Sequence, residues 1–156
     1  MKVRAYQQND KTEVISLWTE CGLVATQNDP IKDINRKLRV DPDLFLVGGF
    51  ENEVIATVMG GYEGHRGWIN YLAVSTSHQR KGYGQKIMKS VEALIKDKGC
   101  PKINLQIRNT NQNVIAFYNA IGYGDDNVLG LGKRLEHDEQ RVCLNNIDDF
   151  LDDSNE

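Results

Sequence analysis

Cysteine is scarce in this sequence and is not arranged for a metal. Cys21, Cys100 and Cys143 are odd in number and show no paired short spacing. Neither a disulfide framework nor a metal site is expected, and the thiols read as reduced, as in a cytoplasmic protein. Long apolar runs are missing too. No stretch approaches the roughly 20 residues of a membrane span. Met1-Lys2-Val3-Arg4-Ala5-Tyr6 has no apolar core of an export signal. The expectation is a cytoplasmic chain with no membrane partner. A strong basic excess is also absent, with 19 Lys and Arg against 22 Asp and Glu. That argues against nucleic acid as a partner. No internal repeat or linker breaks the 156 residues, a length that suits one domain with a proper core.

The charge that is present is unevenly placed. Residues 136–156 hold eight acids and one base, whereas residues 1–135 hold 18 bases and 14 acids. A mildly basic domain over 1–135 and an acidic C-terminal tail over 136–156 are expected, the tail frayed. The basic balance of the domain suits an anionic ligand.

The chain is organised around residues 68–95. Trp68 to Val74 is rich in β-branched, aromatic and apolar residues, and predicts a strand buried on both faces. Ser75-Thr76-Ser77-His78-Gln79-Arg80-Lys81-Gly82-Tyr83-Gly84 is a loop. Ile87, Met88, Val91, Leu94 and Ile95 then recur at helical spacing and predict the buried side of a helix. The first turn of a helix carries unpaired N–H groups and partial positive charge. Gly82 and Gly84 let an anion approach those donors, and Arg80 and Lys81 add charge, so the loop suits a phosphate or pyrophosphate. A tight turn with a solvated basic edge explains the same residues. The dinucleotide fingerprint is excluded because Ile87 stands where its third glycine is needed. The P-loop is excluded because Gln85-Lys86 follows Gly84.

Gln79-Arg80-Lys81-Gly82-Tyr83-Gly84 resembles the Gln/Arg-x-x-Gly-x-Gly/Ala signature of the GNAT superfamily of acetyl-CoA-dependent N-acetyltransferases. Leu72-Ala73-Val74 resembles that family's cofactor strand. Asn111 to Tyr123 resembles its Asn-x-x-Ala-Ile-x-Phe-Tyr-x-x-x-Gly-Phe segment. Asn28-Asp29-Pro30, Gly60-Gly61-Tyr62, Gly64-His65-Arg66-Gly67, Gly99-Cys100-Pro101-Lys102-Ile103 and Leu131-Gly132-Lys133-Arg134-Leu135 are similar to the bacterial YpeA-type acetyltransferases. The resemblance covers about residues 1–135.

The elements in order fit an α+β chain, β-α-α-β-β-β-α-β-α-β(-β). The resemblance implies the GNAT fold, a mixed, mostly antiparallel sheet with helices on both faces. A strand over 1–6 comes first. Asn9 is expected to cap a helix over about 10–22, with Val14, Leu17, Trp18 and Cys21 on its buried side. Asp29-Pro30 starts a second helix with Ile31, Ile34 and Leu38 on one face. Strands over 43–48, 54–62 and 68–74 form a meander, with a bulge or a close backbone approach at Gly60-Gly61. After the central helix come a strand over 102–107, a helix over 111–120 and a last strand over 128–135, with a short strand near Tyr123 optional.

The resemblance implies acetyl-CoA as cofactor, an amine acceptor from a small molecule or protein, and direct attack in a ternary complex. A homodimer stays open. It implies cofactor contacts by Leu72, Ala73, Val74, Gln79, Arg80, Lys81, Gly82, Tyr83, Gly84, Gln85 and Asn111. In the family the strand over 68–74 and the next one splay apart, and the pantetheine arm pairs with the backbone exposed between them. Tyr118 matches the tyrosine that protonates the departing thiolate; a packed aromatic is the alternative reading. Asn111 reads also as a helix N-cap. Trp68 and Gln106 stand where many relatives carry a carboxylate base, and neither accepts a proton. Asn28, Asp29, Glu63 and His65 are left on loops as acceptor contacts. A non-catalytic acyl-CoA sensor on the same fold is the alternative function, with a general phosphoanion binder behind it.

Overall fold

The computed structural model describes residues 1–51 and 53–138. The expected frayed tail therefore lies outside the described residues from 139 onward. The elements are β1 (Lys2–Ala5), α1 (Lys11–Glu20), α2 (Pro30–Leu38), β2 (Phe45–Phe50), β3 (Glu53–Tyr62), β4 (Gly67–Val74), α3 (Tyr83–Asp97), β5 (Ile103–Asn104) and α4 (Gln112–Ala120). One sheet runs β1-β2-β3-β4-β5. Its first four strands pair antiparallel, and β5 pairs parallel to β4.

The sheet is apolar on both sides because successive strand residues face opposite ways. In β2, Phe45 and Val47 join Val14, Leu17, Trp18 and Ile34 of α1 and α2. Leu46, between them, joins Ile87, Met88, Val91 and Ile95 of α3. Two cores thus share one sheet, and the unbroken run Leu44-Phe45-Leu46-Val47 is what that requires. The α3 side chains expected at helical spacing are fully buried except Leu94, which is 38% exposed at the edge of the contact.

The start of α1 differs from expectation. Asn9 lies in a short 3-10 turn, and the binding side chain is Asp10. The Asp10 carboxylate accepts the Gln7 N–H at 2.7 Å and both Arg4 guanidinium nitrogens at 2.6 and 2.7 Å. A carboxylate next to β1 satisfies three donors there, which the neighbouring amide does not reach. At α2 the expectation holds: Asp29 accepts from the Ile31 and Lys32 N–H groups, with Pro30 opening the helix.

β4 is not buried on both faces. Gly67, Ile69 and Ala73 are buried, while Trp68 and Asn70 are exposed. On the α1/α2 face, the packed core reaches β4 only at Tyr71 and Ala73. β4 also carries a bulge, since Thr57 faces Ala73 but Met59 faces Asn70. The extra residue puts Tyr71 at φ +52°, an uncommon conformation away from glycine. At Gly60 the expected close approach is present: a Cβ there would lie 2.6 Å from Val91 Cγ2 of α3.

The C-terminal third departs furthest. The strand expected over 102–107 has only two residues, and no strand forms near Tyr123 or over 128–135. Val128, Leu129, Leu131 and Leu135 are 76–87% exposed. β5 leaves β4 after its second residue, so it offers the following segment almost no straight edge to pair with. Gly130 and Gly132 weaken extended structure further.

Candidate functional site

The site grows from the fork between β4 and β5. Gly67 pairs with Ile103 and Trp68 with Asn104, and no further pair follows among the described residues. Beyond the fork, the edge of β4 that carries Leu72, Ala73 and Val74 has no strand beside it. At the fork the Asn104 Oδ1 atom is buried without a hydrogen-bond partner among the described residues. A buried acceptor left unpaired costs about 1–3 kcal/mol, and so marks a place where a donor from outside would be favourable.

The loop from β4 to α3 is braced by its own side chains. Gln79 Nε2 donates to the Val74 carbonyl at 3.0 Å, which the Cys21 thiol also approaches at 3.4 Å. Lys81 Nζ donates to the Ser77 carbonyl at 3.0 Å. Arg80 is exposed with φ +60°, and Gly82 takes the N-cap of α3 with φ +81° and open space where a Cβ would stand. No side chain caps α3. Its first-turn N–H groups therefore face outward unclaimed by a side chain, with Arg80 and Lys81 alongside. A hollow of about 380 Å³ lies here, lined by Gly82, Gln85, Lys86, Lys89 and Ser90. Lys86 is tied by its ammonium to the Met1 carbonyl at 2.6 Å. Tyr83 packs edge-on against Phe50, with ring centroids 5.6 Å apart. Gly84 is where α4 comes close, because a Cβ there would lie 3.2 Å from the Phe117 ring.

Asn111 caps α4 through Oδ1, which accepts from Val114 N–H at 3.4 Å. Tyr118 is 7% exposed and sits edge-on to Phe117 and Tyr123. Burial pushes its phenol up to about 12, so it keeps its proton at any ordinary pH. Tyr118, Trp68, Asn104 and Gln106 line one broad cleft along β5. The sequence-derived thiolate acid and the two positions lacking a carboxylate are thus brought together.

The four expected acceptor contacts divide into two places. Glu63 accepts from the His65 and Arg66 N–H groups at 3.0 and 2.6 Å, so its carboxylate closes the β3–β4 turn. His65 is exposed beside Arg66. Asn28 and Asp29 sit instead at the start of α2, where Asn28 Oδ1 accepts from Arg134 at 3.3 Å. No hydrogen bond or ion pair joins the two places among the described residues.

A polar group near the bulge escaped the sequence reading. Tyr71 stacks on Trp18 at 4.0 Å and donates its hydroxyl to Asp33 Oδ2 on α2. The other oxygen of Asp33 accepts from Arg36 at 3.0 Å. The bulge is pinned from behind: Trp18 Nε1 donates to Thr57 Oγ1, which donates to the Tyr71 carbonyl, at 2.9 and 3.0 Å. Burial and then the Asp33 carboxylate raise the Tyr71 phenol well above its usual range. The Asp33–Arg36 pair was visible as an i, i+3 spacing. Its link to Tyr71 was not, since only the bulge turns that ring toward α2.

Comparison with known proteins gives a consistent result. Residues 11–123 match the model of the acetyltransferase (GNAT) family. Acetyltransferase SG1711 of Sodalis glossinidius (strain morsitans) is 44% identical over 141 residues, spanning 90% of this chain and 99% of that protein. Acetyltransferase YE1169 of Yersinia enterocolitica is 41% identical over 140 residues, with 90% and 99% covered. Among solved structures, AAC(6')-Iy in complex with the bisubstrate analog CoA-S-monomethyl-acetylneamine is similar in fold. It gives a TM-score of 0.70 at 15% identity, covering 85% of this chain and 97% of that one. No helix among the described residues is long and apolar enough to cross a membrane.

Proposed function

The chain belongs to the GNAT family of acetyltransferases, and from that premise we propose that it moves an acetyl group from acetyl-CoA to an acceptor amine by direct attack with both bound together. The observation that carries this reading is the fork of β4 and β5 beside a side-chain-free α3 N-terminus. An open strand edge suits the amides of a pantetheine arm. The α3 N-terminus with Arg80 and Lys81 suits a pyrophosphate. The unpaired Asn104 Oδ1 invites an outside donor, and Gly82 leaves open space where such a molecule would lie. A bisubstrate analog made from CoA, bound by a protein of the same fold, supports donor and acceptor held at once.

Acetyl-CoA supplies a thioester already activated toward an amine. Leu72, Ala73 and Val74 orient it along the β4 edge. Gly82 to Gln85 hold its phosphates at the first turn of α3, with Asn111 fixing the start of α4 across from them. Tyr118 gives its proton to the departing sulfur, burial having kept it in place until then, and the proton shed by the acylated amine passes to solvent while the phenol is reprotonated. The acceptor approaches from the α1/α2 face, where Asn28, Asp33 and Tyr71 gather at the bulge. Glu63 and His65 stand further off, with Glu63 engaged by its turn.

The test is thermal unfolding with and without acetyl-CoA. Wild type should gain stability from the ligand. Gly84→Trp should gain none, since the ring would push on Phe117 and displace the first turn of α3. Arg80→Glu with Lys81→Glu, both exposed, should lose most of the gain while unfolding like wild type without ligand. A wild type indifferent to acetyl-CoA, or charge-reversed protein that responds as wild type does, would overturn the reading.

A further inference from the structure

Past α4 the described chain turns back across the start of α2 and lays a carboxylate there. Asp138 Oδ1 lies 2.8 Å from Arg36 NH2 and 3.6 Å from Lys32 Nζ. Asp138 Oδ2 accepts from Arg36 NH1 and from the Asp29 backbone N–H, both at 3.1 Å. The Asp138 side chain is only 7% exposed. A planar guanidinium fork, an ammonium and a helix-terminal N–H thus converge on one carboxylate, the donor set that recognises that group.

Two further observations show that this cradle is not merely shaped by Asp138. Arg36 is independently held by Asp33 at 3.0 Å, and the Lys32 N–H is held by the Asp29 side chain. Asp33 thus holds one Arg36 nitrogen by a contact that does not pass through Asp138. The segment that delivers Asp138 is also held almost wholly by charge. Arg134 bonds the Gln27 carbonyl and the Asn28 amide oxygen, and Glu136 reaches Arg36 at 3.4 Å, while Leu135 is 87% exposed. A strap anchored by surface polar contacts without a buried apolar residue opens easily.

The cradle is also next to the acceptor side. The same Asp33 that braces Arg36 accepts the Tyr71 hydroxyl at the β4 bulge. A carboxylate in the cradle and an amine at the bulge would belong to one small molecule or one chain end. We propose that the Asp29 N–H, Lys32 and Arg36 form a carboxylate subsite for the acceptor, and that Asp138 occupies it in cis as an internal competitor. The acceptor class is then an amine that also carries a carboxylate, such as an amino acid or short peptide. This inference rests on the acetyltransferase reading for the identity of the incoming group, but not on acetyl-CoA binding.

The experiment uses the full chain without acetyl-CoA, so that its result is separate from the thermal test above. Glycylglycine and its C-terminal amide are titrated into wild type and Asp138→Asn, following the backbone amide signals of Asp29, Ile31 and Lys32 by NMR. Glycylglycine should bind Asp138→Asn about tenfold more tightly than wild type, because the competing state is removed. The amide form should shift nothing. Adding Arg36→Gln to Asp138→Asn should abolish the response. Equal affinity in wild type and Asp138→Asn, equal binding of the amide form, or no shift in Asp138→Asn would each overturn the proposal.

Discussion

The proposed donor side and the proposed acceptor side of this molecule are built in different ways. The donor side is local. A strand, eight loop residues and one helix follow each other in the chain, and the loop braces itself through Gln79 and Lys81. The acceptor side is assembled from distant parts. Trp18, Asp33, Thr57, Tyr71 and Asp138 meet there from α1, α2, β3, β4 and the segment after α4. The local side carries the family's loop signature in a handful of adjacent residues, although the family match itself spans residues 11–123. On the proposed reading, choice of acceptor would follow the assembled side, where each contact depends on how the sheet and helices pack.

The comparison can be broken most strongly at Tyr118. Tyr118→Phe keeps the ring against Phe117 and Tyr123 and loses only the proton. With an acceptor in hand, kcat should fall by about 10² to 10⁴, with acetyl-CoA affinity and thermal stability nearly unchanged. A kcat close to wild type would reduce Tyr118 to packing. Next comes the acceptor side's own pin. Thr57 is fully buried between the Trp18 indole and the Tyr71 carbonyl. Thr57→Val leaves the indole N–H unpaired and should cost about 1–3 kcal/mol in urea unfolding. The bulge should loosen, raising the acceptor KM while acetyl-CoA affinity holds. Equal losses of donor and acceptor affinity would show that the two sides are not separable.

A smaller effect is tied to pH. Arg4 bonding, and then the Gln7 N–H, hold the Asp10 carboxyl below the usual carboxylate range despite burial. A depressed folded pKa gives stability that is complete above the unfolded value of about 4 and is lost as pH falls through the folded value. The urea midpoint of wild type should drop on acidification below that range, and Asp10→Asn should show less of this drop. Equal slopes would remove Asp10 from the acid sensitivity of the frame that holds α1. The smallest effect is at Glu136, whose side chain is 80% exposed beside Arg36. Glu136→Gln should leave the melting temperature unchanged at moderate salt. A clear loss would mean that the C-terminal strap is held more firmly than its exposed contacts imply.

Much of the architecture was legible in the pattern of apolar residues. The three-strand meander, the two early helices and the α3 stripe fell where periodicity put them, apart from Leu94. The Asp29-Pro30 start of α2 was legible because its cap is made by neighbours in the chain. The β4–α3 loop with Gly82 at the helix start was legible for the same reason. The start of α1 was misjudged because its partner, Arg4, lies on another element. The strands expected after Asn104 are absent because extended structure requires an edge, and β5 turns away from β4 after two residues.

The sequence by itself determined the family, the two-faced sheet and the glycine-flanked helix start, since each depends on residue types at short, fixed spacing. Tertiary structure alone decided where β4 bulges, which carboxylate meets Tyr71, and that Asp138 lies over α2. Those depend on contacts between residues 14 to more than 100 positions apart. Such pairs carry no spacing rule, because a strand register or a returning loop sets them only once the sheet has closed.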